Sequence, residues 1–447
     1  MSNIQNNNIK EWYLTSFKTF AGKLNGHSKT FLHDIRENAL KKLEELSFPT
    51  LKDEDWKYTN VSPILKENFI PAVSADKLVL TKADIEKYLF KKFDYYLAVF
   101  VNGIFSPELS DLNDLQDGLT VDSLANVSKN KPELIKEYFG KAIDINNAFV
   151  ALNTAYSFDG IVITVAKGKI IEKPVQVLFI NGSEKQNILS VPRNLVIAAE
   201  NSQVKTIFNF AGVDGLPYFT NSITEAFTGD NAVVDIYKIQ NENENAFHIE
   251  KTQAIQNRSS VFNHHSITFG GSIVRNDLNS VLNGEGIECH YYGIYLGKDK
   301  QHIDNHTFVD HAKPNCMSNE LYKGILDDDS HGVFNGQIIV RRDAQKTNAF
   351  QSNKNVLLSD TAKIDTKPQL EIFADDVKCS HGATIGHLDD VAYFYIRSRG
   401  IPDELAKSML INAFTDDVLE TIKIEEMREQ LNHLIFEHLH RIEIENK

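Results

Sequence analysis

From residue 156 to residue 388 one short apolar run follows another, and no helical periodicity comes between them. Runs at 161–165, 175–180, 195–199, 204–210, 233–239, 261–269 and 333–340 have strand length, and Gly, Asn, Asp or Pro separates most of them. Several alternate, as in Val234-Asp235-Ile236-Tyr237-Lys238-Ile239, the two-residue period of a strand with unlike faces. Without crossover helices, a layered α/β sheet is not available to such a chain. Two architectures remain, a large sandwich or barrel and a solenoid of parallel coils. One sandwich of about 100 residues is too small for this stretch. The reading is therefore mainly β, with a right-handed parallel β-helix core. An open solenoid end exposes unpaired strands and needs a cover, and helical segments at both chain ends could supply caps.

Three regions follow: a helical N-terminal region at 1–90, a β-helix at 91–388 and a helical C-terminal domain at 389–447. Phe31, Leu32, Ile35, Ala39, Leu40, Leu43 and Leu46 follow a helical period, with Ser28 as a plausible N-cap and Pro49 past the end. Asp53-Glu54-Asp55-Trp56-Lys57-Tyr58-Thr59 is an acidic, aromatic connector. A strand at 95–101 runs into the turn Asn102-Gly103, and one helical excursion is expected near 131–142. After Leu388, Asp389 is a good N-cap for a helix that Gly400-Ile401-Pro402 ends, and two further helices follow.

Composition narrows the function. The net charge of -14 argues against a nucleic-acid surface. Residues 1–10 are polar, unlike a secretory leader, and no apolar run reaches membrane-spanning length. Cys289, Cys316 and Cys379 are too few and scattered for a disulfide framework. A reducing, cytoplasmic setting is expected.

The chemistry concentrates in Lys378-Cys379-Ser380-His381-Gly382. On an extended chain Cys379 and His381 stand side by side on one face. Thiolate and imidazole suit a soft or borderline metal, yet two ligands leave a tetrahedral site incomplete. The remaining ligands must come from elsewhere in the chain, solvent or a second chain. The bland alternative is a packed cysteine with a nearby histidine. Other candidates are weaker. His306 and His311 point to opposite faces of a strand, as do His264 and His265. His433, His438 and His440 cannot share one helical face, and Asp327-Asp328-Asp329 reads as a solvated loop. No phosphate-binding loop, Cys-x-x-Cys or nucleophile elbow is present.

At Asp376-Val377-Lys378-Cys379-Ser380-His381-Gly382-Ala383-Thr384 and at Phe394-Tyr395-Ile396-Arg397-Ser398-Arg399-Gly400-Ile401 the chain resembles the SufB/SufD family, paired scaffold subunits of the SUF iron–sulfur cluster assembly system. Phe100-Val101-Asn102-Gly103, Ala151-Leu152-Asn153-Thr154-Ala155, Pro192-Arg193-Asn194, Val309-Asp310-His311, Tyr322-Lys323-Gly324 and Gln345-Lys346-Thr347-Asn348-Ala349-Phe350-Gln351 extend the match. The connector at 53–59 and the length resemble the SufD branch. The resemblance implies a β-helix with helical ends and a non-catalytic scaffold role. It implies a SufB-type partner and a SufC-type ATPase bound by the C-terminal helices, or a homodimer when the chain is isolated. It also implies a transient cluster or iron at the subunit interface, with none permanently bound. In such chains the position of His381 faces the partner's cysteine, with Cys379 beside it. The expected geometry has His381 pointing out of the coil. Two other classes compete: a carbohydrate-active β-helix enzyme, which needs a carboxylate cleft, and a structural subunit in which His381 merely packs.

Overall fold

The structure, a computed structural model, describes residues 2–24 and 30–440. Its core is a parallel β-solenoid of about 8 turns. Successive strands go alternately to two sheets, one of eleven strands and one of ten. Within a sheet each strand pairs in parallel with the strand one coil away. In the first sheet Ile273 sits over His302, and His302 over His331. In the second, Glu288 sits over Met317 and Met317 over Asn348. The expected β-helix with helical ends is what forms.

Side-chain alternation in these strands separates a core inside the coil from two flanks outside it. Inward rows carry Phe262, Cys289, Tyr291, Tyr322, Phe334 and Ile338 in one continuous apolar cluster. The corners depend on left-handed backbone. Asn201 (φ 57°), Asn231 (57°), Ser259 (55°), Gly286 (68°), Asn315 (60°) and Lys346 (61°) recur about one coil apart. Five of them reach the next coil through the backbone N–H: Asn201 donates to the Asp230 carbonyl (2.8 Å), Asn231 to Arg258 (2.9 Å), Ser259 to Glu285 (2.8 Å), Asn315 to Gln345 (2.9 Å) and Lys346 to Asp376 (2.6 Å). Asn tolerates this conformation, and lysine does so at a cost of about 1–2 kcal/mol.

The helices do not cap the coil, contrary to expectation. Those at Ser2–Gly22 and Phe31–Glu45 lie on the outward face of the first sheet. There Tyr13, Phe20, Trp56 and Phe69 pack with Phe149, Phe219 and Phe247. Ser28, the expected N-cap, is outside the described residues; the described helix begins after Thr30. Beyond Glu45 the N-terminal region is mostly loops and single turns, not the helices expected. The C-terminal helices Asp403–Leu419 and Glu425–His440 lie on the outward face of the second sheet. Ile411, Val418, Met427 and Leu431 cover Ile239, Ile267, Ile294 and Ile325. Each outward sheet face is apolar here, and a helix laid along it removes that surface from water.

The two ends of the solenoid differ. At the first, a hairpin of Tyr96–Val101 with Ile104–Phe105 and an antiparallel pair, Leu119–Ser123 with Ile161–Val165, close the edges. The helical excursion there is larger than expected, with helices at Leu124–Asn130, Pro132–Tyr138 and Ala148–Tyr156. At the last, Lys363–Ile372 and Val377–Gly386 each have a strand on one side only among the described residues.

The corner ladder yields a stability test. Lys346→Gly or Lys346→Asn should be neutral or stabilising by up to about 1 kcal/mol, whereas Lys346→Val should cost about 1–2 kcal/mol. Urea midpoints measure this; equal losses in all three variants would rule out the left-handed corner as the cause.

Candidate functional site at the open end of the coil

The terminal strand Val377–Gly386 carries both sequence-predicted residues. Cys379 pairs with Ala349 and His381 with Gln351. Ala349 and Gln351 are buried inward residues of the neighbouring strand, so Cys379 and His381 continue inward rows. Val377 and Cys379 pack against the interior cluster. His381 is exposed. The expected outward orientation is therefore corrected: His381 shares the inward face, and it is accessible because the row ends there. Burial pushes the Cys379 thiol up, opposed by the Ala349 backbone. A metal bound there would have to displace the thiol proton. Among the described residues no cluster of three or more His, Cys, Asp or Glu side chains could hold a metal ion.

Beneath His381 lies a polar row inside the coil that sequence reasoning missed. Glu320 pairs with Gln351, which pairs with His381. Gln351 donates from its amide nitrogen to Glu320 Oε2 (3.2 Å), and the Thr307 hydroxyl donates to the same oxygen (2.5 Å). Gly336 opposite leaves room for the amide, since a Cβ there would meet Gln351 Nε2 at 2.2 Å. Burial raises the Glu320 carboxyl to about 7, against the lowering effect of Thr307 and Gln351. The available signal was strand alternation combined with the coil step, which a single apolar pattern does not reveal.

Neither the other histidines singled out in the sequence nor the two remaining cysteines stand on the terminal strand. His264 points inward, while its neighbour His265 stacks outside between Tyr237 (4.8 Å) and Tyr292 (5.0 Å) and bonds Thr421 (2.8 Å). His306 pairs with Asp304 (3.0 Å), and His311 is buried with Ser318 (2.9 Å). His433 pairs with Glu437 (3.2 Å) on the last helix. Cys289 is buried, its thiol pushed up to about 12 by desolvation, and Cys316 is likewise buried.

Several of the other motif residues turn out to be clamps. Arg193, fully buried, pairs with Glu225 (2.6 Å) and donates to Thr154 Oγ1 (3.2 Å). Asn153 donates to the Pro192 and Asn221 carbonyls (3.1 and 2.7 Å). Glu225 also accepts from the Gly140 and Ala142 backbones (2.8 and 2.9 Å). Together they seat the Ala148–Tyr156 helix on the coil. In the connector, Trp56 stacks under the Arg275 guanidinium (3.8 Å), which pairs with Asp304 (3.0 Å), and Glu54 reaches Lys367 (2.5 Å) on the last strand of the first sheet. Lys323 ties the second sheet to the C-terminal helix through Asp417 (2.6 Å) and the Phe414 carbonyl (2.5 Å).

One further surface stands out. The helix Asp390–Ser398 buries none of its residues. Asp389 caps it by accepting from the Val391 and Ala392 backbones (2.8 and 3.0 Å), and Gly400 at φ 83° follows its end. Val391 is 78% exposed, Phe394 74% and Tyr395 59%, next to exposed Leu405 and Met409. Among the described residues no helix is long and apolar enough to cross a membrane.

Comparison with known proteins agrees with this architecture. Residues 179–414 match the SUF system FeS cluster assembly, SufBD core domain, and residues 7–177 match the SufBD protein N-terminal region. The chain is 32% identical over 420 residues to an iron–sulfur cluster assembly SufBD family protein of Synechocystis, covering 92% of each. It is 30% identical to the iron–sulfur cluster assembly protein SufD of Escherichia coli, over 88% of this chain and 89% of that one. To SufD of Bacillus subtilis it is 27% identical, over 96% and 97%. The chain belongs to the SufBD family of the SUF iron–sulfur cluster assembly system, as its sequence motifs indicated. The carbohydrate-active alternative is set aside.

Because burial raises the folded-state pKa of Glu320, its protonated form is the stable one in the fold. That contribution is fully present below the unfolded value near 4.5 and is lost as pH rises through about 7. Glu320→Gln removes the ionisation. It should therefore gain stability relative to wild type, on the order of 2 kcal/mol at pH 8, with the advantage fading towards pH 4.5. Urea titrations at both pH values check this, and a pH-independent difference would contradict it.

Proposed function

We propose that this chain is a non-catalytic scaffold subunit that helps to build a nascent iron–sulfur cluster, or to hold iron, at an interface with a SufB-type partner. The observation that carries the reading is the pairing of Cys379 and His381 on one face of an edge strand whose far side is open. A ten-residue strand with free N–H and C=O groups is a template for another chain. A partner adding its own edge would bring ligands to the two that this chain supplies. Iron and sulfide are cargo here, held transiently. His381 serves as a neutral imidazole ligand, and Cys379 as a secondary ligand once deprotonated. In isolation, the same edge would pair with a second copy, since an isologous contact needs only one self-complementary surface.

The ATPase activity of the assembly is assigned to a SufC-type partner, because this sequence has no phosphate-binding loop. Its docking surface is the exposed face of Val391, Phe394 and Tyr395 with Leu405 and Met409. ATP-driven movement of a subunit docked there would open or close the adjoining coil end, provided that ATP favours one arrangement.

Two experiments test the reading. His381→Ala should leave complex formation intact while lowering cluster yield in cells, with Cys379→Ser the milder change. Cluster assembly at the wild-type rate in His381→Ala would make the histidine merely structural. For the ATPase, deleting residues 402–447 is unsuitable, because it would bare Ile267, Ile294 and Ile325 on the second sheet. Phe394→Asp leaves the core untouched and should weaken ATPase association by about tenfold or more; unchanged affinity in a pull-down titration would move the docking site elsewhere.

A further inference from the structure

The end of the inward polar row has a feature that the ligand reading leaves unused. Gln351 is 3% exposed, and its Oε1 is buried with no hydrogen-bond partner among the described residues. Its Nε2 is committed to Glu320 Oε2 (3.2 Å). Glu320 Oε2 accepts from both the Thr307 hydroxyl (2.5 Å) and the Gln351 amide nitrogen, which leaves the amide oxygen facing away from it. The residue one rung further on, in register with Gln351, is His381. Neighbouring strands lie about 4.8 Å apart, and the exposed ring can rotate about χ1 and χ2 to meet the oxygen. A buried carbonyl oxygen without a donor is costly, and a ring N–H is a suitable donor.

We propose that Gln351, itself held by Glu320 and Thr307, is a positioning residue for His381. Its amide oxygen accepts the N–H of the imidazole, which fixes one tautomer and aims the other nitrogen's lone pair out of the coil mouth. Ligating histidines depend on such a second contact for orientation and basicity. Glu320 acts one step back, as the acceptor that sets which way the Gln351 amide faces. Gly336 belongs to the same arrangement, because any side chain there would displace the amide. The inference rests on the ligand reading of His381 for its functional meaning, but the hydrogen bond itself can be measured without metal or partner.

The test uses the full-length chain labelled with ¹⁵N-histidine, with His381 assigned by its disappearance in His381→Ala. At pH 8 the wild-type His381 ring should show two widely separated nitrogen shifts, the sign of one tautomer. Gln351→Met, close in volume but without an acceptor, should draw the two shifts together towards a tautomer average. The exchange variant Glu320→Gln/Gln351→Glu keeps an amide–carboxylate pair with an acceptor facing His381 and should restore the separation. Cluster yield in cells should fall in Gln351→Met to nearly the level of His381→Ala and recover in the exchange variant, a rescue that lost packing would not give. A tautomer average in wild type, or separated shifts retained in Gln351→Met, overturns the positioning. If Gln351→Met does not fold, the exchange variant decides alone, and averaged shifts in it overturn the proposal. A His381→Ala chain with full cluster yield would remove the ligand reading while leaving the hydrogen bond standing, so the two failures are distinguishable.

Discussion

Parallel stacking of one coil on the next is the constraint on which everything else depends. It holds each residue directly over another one coil away, in one unbroken column of the second sheet from Val233 to Lys378. Since a strand's faces alternate, register also fixes which side chains point inward. A one-residue slip would exchange the core of Cys289, Tyr291 and Tyr322 for the outward rows that seat the helices. The chain enforces register at its corners, through recurring left-handed residues, and inside the coil, through polar pairs on matched rungs such as Asn276–Asn305 and Glu320–Gln351.

The interior is more polar than its stability alone would suggest. Lys238 pairs with Glu250 (2.5 Å), His248 bridges Glu242 (2.7 Å) and Glu250 (3.3 Å), and Asn276 donates to Asn305 (2.9 Å). A buried ion pair often adds little over an apolar replacement, but it penalises any arrangement that separates its members. In a solenoid, where apolar rungs are nearly interchangeable, polar pairs on matched rungs, such as Asn276 with Asn305, select one register among several. Near the open end the same kind of row, Glu320 and Gln351, lies under His381 and so connects the folding device to the site.

The open end is equally a consequence of where the helices went. Both outward sheet faces expose long apolar strips, and the terminal helices bury them. Among the described residues no strand then pairs with the outer edge of either of the last two strands. A chain that blunts one end with a hairpin and an antiparallel pair yet leaves the other bare has an asymmetry suited to a partner. The Glu54–Lys367 bond fastens the N-terminal connector to one of those bare strands without covering its edge.

The sequence by itself determined the class of fold. Two-residue alternation, turn residues and the lack of crossover helices are local signals, and so are the caps at Asp389 and Gly400. It also identified Cys379 and His381 as neighbours on one face, because their spacing and the strand period are both local quantities, and its motifs led to the family. Only the tertiary structure decided the direction of that face. Inward and outward are properties of the coil, set by the pairing of Ala349 with Cys379 and Gln351 with His381, and no local pattern contains them. For the same reason the helices' position on the flanks, the clamp roles of Arg193, Asn153 and Trp56, and the Glu320–Gln351 row were not legible. Each depends on contacts between residues that are far apart in the chain, and long-range contacts are fixed by how the coils stack rather than by the pattern of any one segment.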